Sequence, residues 1–231
     1  MKERRDPTSP FGISLFFPGG EIDDICLKAL KDNRCLPSEP GVVEIETFIE
    51  KQFGCAAEYE DLGAGVLGFT SFGTDGRVLR MGANSKLFEG GSSGARRART
   101  TFAHEAGHGL LHALLFINPP RSELFPPGTF DASNRQIMCR EEDLFEKRAY
   151  DGRWWEVQAN QAIGGLLLPK GLVRTAAAPF LSPDGLGLLV LQDSKREEAA
   201  RALAEIFEVN PAAVAVRLEQ LWPKSSAQLT F

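Results

Sequence analysis

The sequence predicts an α+β fold: a small sheet, a central helix carrying an HExxH motif, a second helix bearing a further ligand, and a largely helical C-terminal half. Three observations predict it. Apolar residues recur at helical spacing near both ends of the chain, the spacing turns to short β-rich runs only between residues 65 and 84, and one nearly seamless apolar helix in the middle holds every histidine in the protein.

The bulk properties set bounds. At roughly 150 residues per domain, a chain of 231 residues makes one large domain or little more, enough for a substantial core. A net charge of −5 argues against a general nucleic-acid binder. No apolar run approaches the ~20 residues of a membrane span. The start, MKERRDPTSPFGISLFFPGG, is basic, but its apolar patch is short and cut at Pro18-Gly19-Gly20, with no small-residue cleavage site, so no signal peptide is expected. Cys26, Cys35, Cys55 and Cys139 form no CxxC pair; they read as free thiols of a cytoplasmic protein, and their spacing gives no support for metal ligation.

In order along the chain, EIDDICLKALKDNR (21–34) and VVEIETFIEKQFG (42–54) read as amphipathic helices. GVLGFTSF (65–72) and GRVLRMGAN (76–84) read as a β-hairpin across the turn GTDG. LFEGGSSGARRART (87–100) reads as a loop by composition, followed by a helix from about 101 to 117. Four prolines in 118–130 make the stretch 118–152 an irregular insert, either a lid or a surface excursion. WWEVQANQAIGGLLLP (154–169) is a buried helix stopped by Pro169, and 194–222 is a helix pair broken at Asn210-Pro211. The expected organisation is an N-terminal extension with a helix (1–38), a core (39–193) and a C-terminal helix pair packing on it (194–231).

The stretch TTFAHEAGHGLLHALLF (100–116) holds His104, His108 and His112, each four residues from the next. The surrounding positions are apolar all round, which marks a buried helix. Buried polar groups without partners cost ~1–3 kcal/mol each, so the three imidazoles and Glu105 need partners. Positions i and i+4 share a helix face, so His104 and His108 project to one point, as two zinc ligands do, with Glu105 close enough to act as general base on water there. A site using His108 and His112 is also geometrically possible, but it leaves Glu105 on the wrong side; His112 reads as a residue supporting the ligands. The extended motif with a third histidine is excluded, because Leu111 and Leu114 stand where its glycine and histidine would be.

One zinc ion per chain then needs a third protein ligand, a carboxylate or cysteine. Glu156 is the best candidate, an acid in an apolar helical run; Asn160, one turn on, could bond the outer nitrogen of a zinc histidine. Glu123, Asp131, Glu141, Glu142, Asp143 and Glu146 compete, from loop-like or charge-rich stretches.

RARTTFAHEAGHGLLH (97–112) followed by WEVQANQAIGGLLLP (155–169) resembles the ImmA/IrrE metallopeptidases, bacterial and phage proteins with an HExxH…ExxAN zinc site. VLRMGAN and LAEIFEVNPAAVAVRLEQL look like that family's strand before the motif and its closing helix pair. The resemblance covers roughly residues 40–222 and is specific in the two motif helices. It implies a small zincin-like sheet, zinc on His104, His108 and Glu156, Glu105 as catalytic base, and cleavage of a protein or peptide, often a helix-turn-helix repressor. Gly164-Gly165 depart from the helix formers usual there, and Leu168 stands in place of a methionine.

Weaker signals are Arg99 and Asn84 as substrate contacts, strand 77–84 as either a sheet edge or a doubly paired strand, and Tyr150 as oxyanion donor. The C-terminal pair could be taken for a DNA-binding helix-turn-helix, but its second helix has one base, Arg217, so packing on the core is expected and direct nucleic-acid binding is not. The rival function is a non-catalytic zinc-containing regulator that binds a repressor or DNA.

Overall fold

A computed structural model describes residues 1–145, 151–184 and 186–224. The chain begins with an antiparallel hairpin, β1 (Lys2–Arg5) and β2 (Ile13–Phe16), then α1 (Glu21–Asp32) and α2 (Ile45–Phe53). Acidic Glu21, Asp23 and Asp24 open α1 and Lys31 closes it, each complementing the helix dipole. Gly54, at φ 71°, ends α2 in the left-handed conformation that glycine adopts without strain.

β3 (Ala57–Glu60), β4 (Val66–Phe72) and β5 (Val78–Asn84) follow, then α3 (Gly91–Leu111), β6 (Phe130–Asp131), β7 (Gln136–Arg140) and α4 (Glu141–Phe145). One five-stranded mixed sheet has the order β3-β5-β4-β7-β6, with β3 parallel to β5 and the other pairs antiparallel. α5 (Trp154–Leu167) and α6 (Lys170–Ala177) lead through a small hairpin, β8 (Leu181–Pro183) and β9 (Leu189–Leu191), to α7 (Asp193–Phe207) and α8 (Pro211–Leu221). Asn210 caps α8 by accepting from Ala212 N, and Pro211 takes the first helical position, where its missing N–H costs nothing.

The α+β class, the hairpin β4–β5, and the helices expected at 21–34, 42–54, 154–169 and 194–222 are present. Three expectations are corrected. Residues 91–100 are not loop but the first ten residues of α3, and a 3-10 turn, Ser85–Gly90, precedes them. Gly94 there serves packing: a Cβ on it would lie 1.7 Å from the Leu87 carbonyl oxygen. α3 also stops at Leu111, not near 117, and tightens into a 3-10 turn, Ala113–Phe116. The stretch 118–152 is not irregular throughout: after its prolines, β7 pairs along β4 and β6 pairs on β7 as the outer strand of the sheet.

α3 lies across β4 and β5, α5 packs on α3, and α1 packs on α5. The buried apolar cluster runs through all of these and reaches Leu15 of β2, Leu203 of α7 and Val214 of α8. Two close approaches set these distances. A Cβ on Gly107 of α3 would meet Ala162 Cβ at 2.8 Å and Ala159 Cα at 3.1 Å on α5. A Cβ on Gly165 of α5 would meet Cys26 Cβ and Sγ of α1 at 2.8 Å, which accounts for glycine where a helix former would otherwise serve. Gly107→Ala should therefore lower stability by about 1–3 kcal/mol, the usual cost of overpacking, and loosen any site shared by α3 and α5. An unchanged urea midpoint would show that the two helices have slack.

Candidate metal centre

Two helices supply the centre. His104, Glu105 and His108 on α3 and Glu156 on α5 are all buried, the first three at 0% exposure. His104 Nε2 lies 3.0 Å from both Glu156 Oε2 and His108 Nε2, and His108 Nε2 lies 3.4 Å from Glu156 Oε2. Zinc bonds of ~2.0–2.2 Å at tetrahedral angles hold ligand atoms roughly 3.3–3.5 Å apart, so the three atoms fit one ion. The buried cluster of His104, His108, Glu156 and nearby Cys139 could hold a metal.

The groups behind the ligands fix which nitrogen is bare. Asn160 Nδ2 donates to the Asp143 carbonyl at 2.7 Å, so its Oδ1, 3.0 Å from His104 Nδ1, accepts that ring's proton. Gln158 Nε2 donates to the Leu15 carbonyl at 2.6 Å, so its Oε1, 3.0 Å from His112 Nε2, accepts from His112. Burial above all, with His108 beside it, holds the His112 pKa down to about 3, so His112 is neutral and its Nδ1 is an acceptor. His108 Nδ1, 3.0 Å away, must then donate to it, which leaves His108 Nε2 bare.

With both imidazoles neutral the cluster is thus three acceptors, two lone pairs and a carboxylate, facing one another in a buried site. That arrangement demands a cation. Without a metal the available cation is a proton. Burial works against a charged His104, but the Glu156 carboxylate overrides it and raises its pKa; at His108 burial prevails and lowers it. Burial also works against ionised Glu156, yet the two imidazoles hold its carboxyl well below the usual range.

Glu105 sits beside this triad. Its Oε2 accepts from Thr70 Oγ1 at 2.6 Å, and its Oε1 is buried with no partner. Burial raises its pKa to about 8, partly offset by His104 and Thr70. Gly68 gives it room: a Cβ there would lie 2.8 Å from Glu105 Oε1 and 2.5 Å from Thr101 Cγ2.

His112 is placed as a support, turning its Nδ1 to His108 and its Nε2 to Gln158. His112→Ala should keep one metal per chain at saturation while weakening its affinity roughly 10- to 100-fold, the usual weight of such outer partners. Unchanged affinity in a competition titration with a chelating dye would remove its orienting role.

The structure also places the weaker candidates. Arg99 is not at the site: its Nη2 donates to the Val43 carbonyl at 2.8 Å, the opposite way from His104 around the helix. Arg97, seven residues before His104, shares the ligand stripe instead, bonding Glu141 Oε1 at 2.5 Å. Asn84 offers no free amide: it donates to the Gly63 and Val66 carbonyls and accepts from Lys86 N, capping the 3-10 turn. β5 is paired on both sides over Met81–Ala83, with β3 on one side and β4 on the other. Asp143 is no ligand, since its carboxylate takes Arg153 Nη1 at 2.5 Å and Arg140 N at 2.8 Å. Tyr150 lies outside the described residues.

Sequence reasoning missed Thr70, Gln158 and Cys139 as neighbours of the centre. Gln158 carried a signal, an uncharged polar residue inside an apolar helix; Thr70 and Cys139 lie on strands distant in sequence and carried none. No helix among the described residues is long and apolar enough to cross a membrane. No model of a known protein family and no curated protein matches the chain.

Proposed function

We propose that the chain is a zinc-dependent endopeptidase that hydrolyses a peptide bond in a protein substrate. The observation that carries the reading is the set of three acceptor atoms with their tautomers fixed from behind, next to a carboxylate held apart from them. Zinc on His104, His108 and Glu156 would supply a Lewis acid that polarises a carbonyl and acidifies water.

The remaining roles belong to the chain. Glu105 takes the proton of the attacking water through its unpartnered Oε1 and passes it to the leaving amine. Thr70 holds Oε2 and so fixes the direction of the carboxylate. A cation beside Glu105 draws its raised pKa downward, toward the neutral range a general base needs. Asn160 and His112 hold the two rings.

The resemblance to ImmA/IrrE peptidases supports a helix-turn-helix repressor as the substrate. Direct DNA binding through α8 is disfavoured, because Arg217 is 3% exposed and donates to the Leu168 carbonyl and the Asp23 carboxylate. The test is to incubate zinc-loaded protein with the product of any adjacent repressor gene and map fragments by mass spectrometry. Specific fragments that vanish with chelator are expected. An intact repressor held in a tight complex would instead favour a regulator that binds without cutting.

A further inference from the structure

We propose that the Cys139 thiolate is a fourth protein ligand of the metal and closes the site in the resting protein. The inference rests on the metal reading of His104, His108 and Glu156, and adds a ligand from the sheet. Cys139 lies on β7 directly opposite Gly68 of β4, with Ile137 opposite Thr70, so all four positions face α3. Gly68 has no side chain to stand between Cys139 and α3. Ligand atoms of His104, Glu105 and Cys139 lie within 4.8 Å of one another, a group that shares only His104 with the His104–His108–Glu156 triad, so ligation turns the thiol from the Arg140 carbonyl, 3.7 Å away, toward the triad; Cys139 is 1% exposed.

A second observation points to a ligand in the same space. Glu105 Oε1 is fully buried, has no hydrogen-bond partner, and sits over Gly68. A cation shared by the triad and the thiolate satisfies that oxygen electrostatically where no donor does. Imidazole, carboxylate and thiolate are all ordinary zinc donors, and a thiolate bonds at about 2.3 Å.

The consequence concerns activity. Four protein ligands make the closed pattern of structural zinc, while catalytic zinc keeps one position open. With Cys139 bound, Glu105 has no water to activate, and hydrolysis begins only when the thiolate gives way. On ligation the sulfur–metal bond forms, a water leaves the metal, and the thiol proton goes to solvent.

The experiment uses the full chain, stripped with chelator and loaded with cobalt(II). One cobalt per chain with a thiolate-to-cobalt charge-transfer band in the near ultraviolet is expected. Cys139→Ser should bind cobalt but lose the band, and Cys26→Ser, changing the other fully buried cysteine, should keep it. X-ray absorption of the zinc-loaded wild type needs no variant and should find one sulfur at about 2.3 Å. Bound metal with no band and no sulfur, or a band that survives in Cys139→Ser, overturns the proposal and spares the metal reading. A wild type that retains no cobalt or zinc overturns both.

Discussion

Glu105→Gln should slow peptide hydrolysis by roughly two to four orders of magnitude, the usual contribution of general acid–base catalysis, with no loss of metal. Glutamine keeps the shape and can still present an oxygen to Thr70 Oγ1, the one hydrogen bond the carboxylate makes. It removes the basicity that proton transfer needs. The same change should leave the melting temperature unchanged or raise it, because the wild-type carboxylate is buried, half satisfied and pushed to about pKa 8 by that burial. Catalysis and stability therefore move in opposite or unrelated directions at this residue. A variant that cuts at the wild-type rate removes Glu105 from the base's role; inactivity of wild type, Glu105→Gln and the opened Cys139→Ser alike toward every peptide and repressor offered marks the metal as structural.

The centre was largely legible in the sequence because burial makes polar residues conspicuous. His104, His108, Glu105 and Glu156 each interrupt an apolar helix, and the four-residue spacing states which of them converge. Asn160 and His112 follow from the same periodicity. Thr70 and Cys139 do not, because strand pairing between distant segments brings them in, and a single sequence holds no record of that register. Composition misled where glycine served packing. Gly91 and Gly94 read as loop residues, yet Gly94 is small because α3 passes over the Leu87 carbonyl. The prolines of 119–127 likewise hid β7, a five-residue strand whose partner β4 lies some seventy residues earlier. Arg99 was misplaced by a single residue type: three arginines precede the motif, and only helical phase, once the helix is extended back to 91, separates Arg97 from Arg99.

Glu156→Ala should weaken metal binding sharply and remove most of the stabilisation that the metal gives. A ligand present at ~1,000 times its dissociation constant stabilises the folded state by about 4 kcal/mol. For a chain of this size that is a melting-temperature difference of roughly 8–16 °C between zinc-loaded and chelated protein. In the variant the difference should shrink, because the carboxylate that faces both imidazoles is gone, leaving only the two imidazoles and the Cys139 thiol, and His104 loses the carboxylate that raises its pKa. Glu156→Gln separates charge from shape: its carbonyl oxygen can occupy the same place, so affinity should fall while one metal per chain is still reached at saturation. Histidine substitution divides the same way, His104→Ala weakening metal binding sharply and His112→Ala keeping the metal, since His104, like His108, turns a bare nitrogen to the centre and His112 does not. Stoichiometric zinc in Glu156→Ala, with the full melting difference retained, would mean that the third ligand is not on α5. The metal would then rest on His104, His108 and Cys139 of β7, the one thiol whose ligand atom lies with His104 and Glu105 among the described residues.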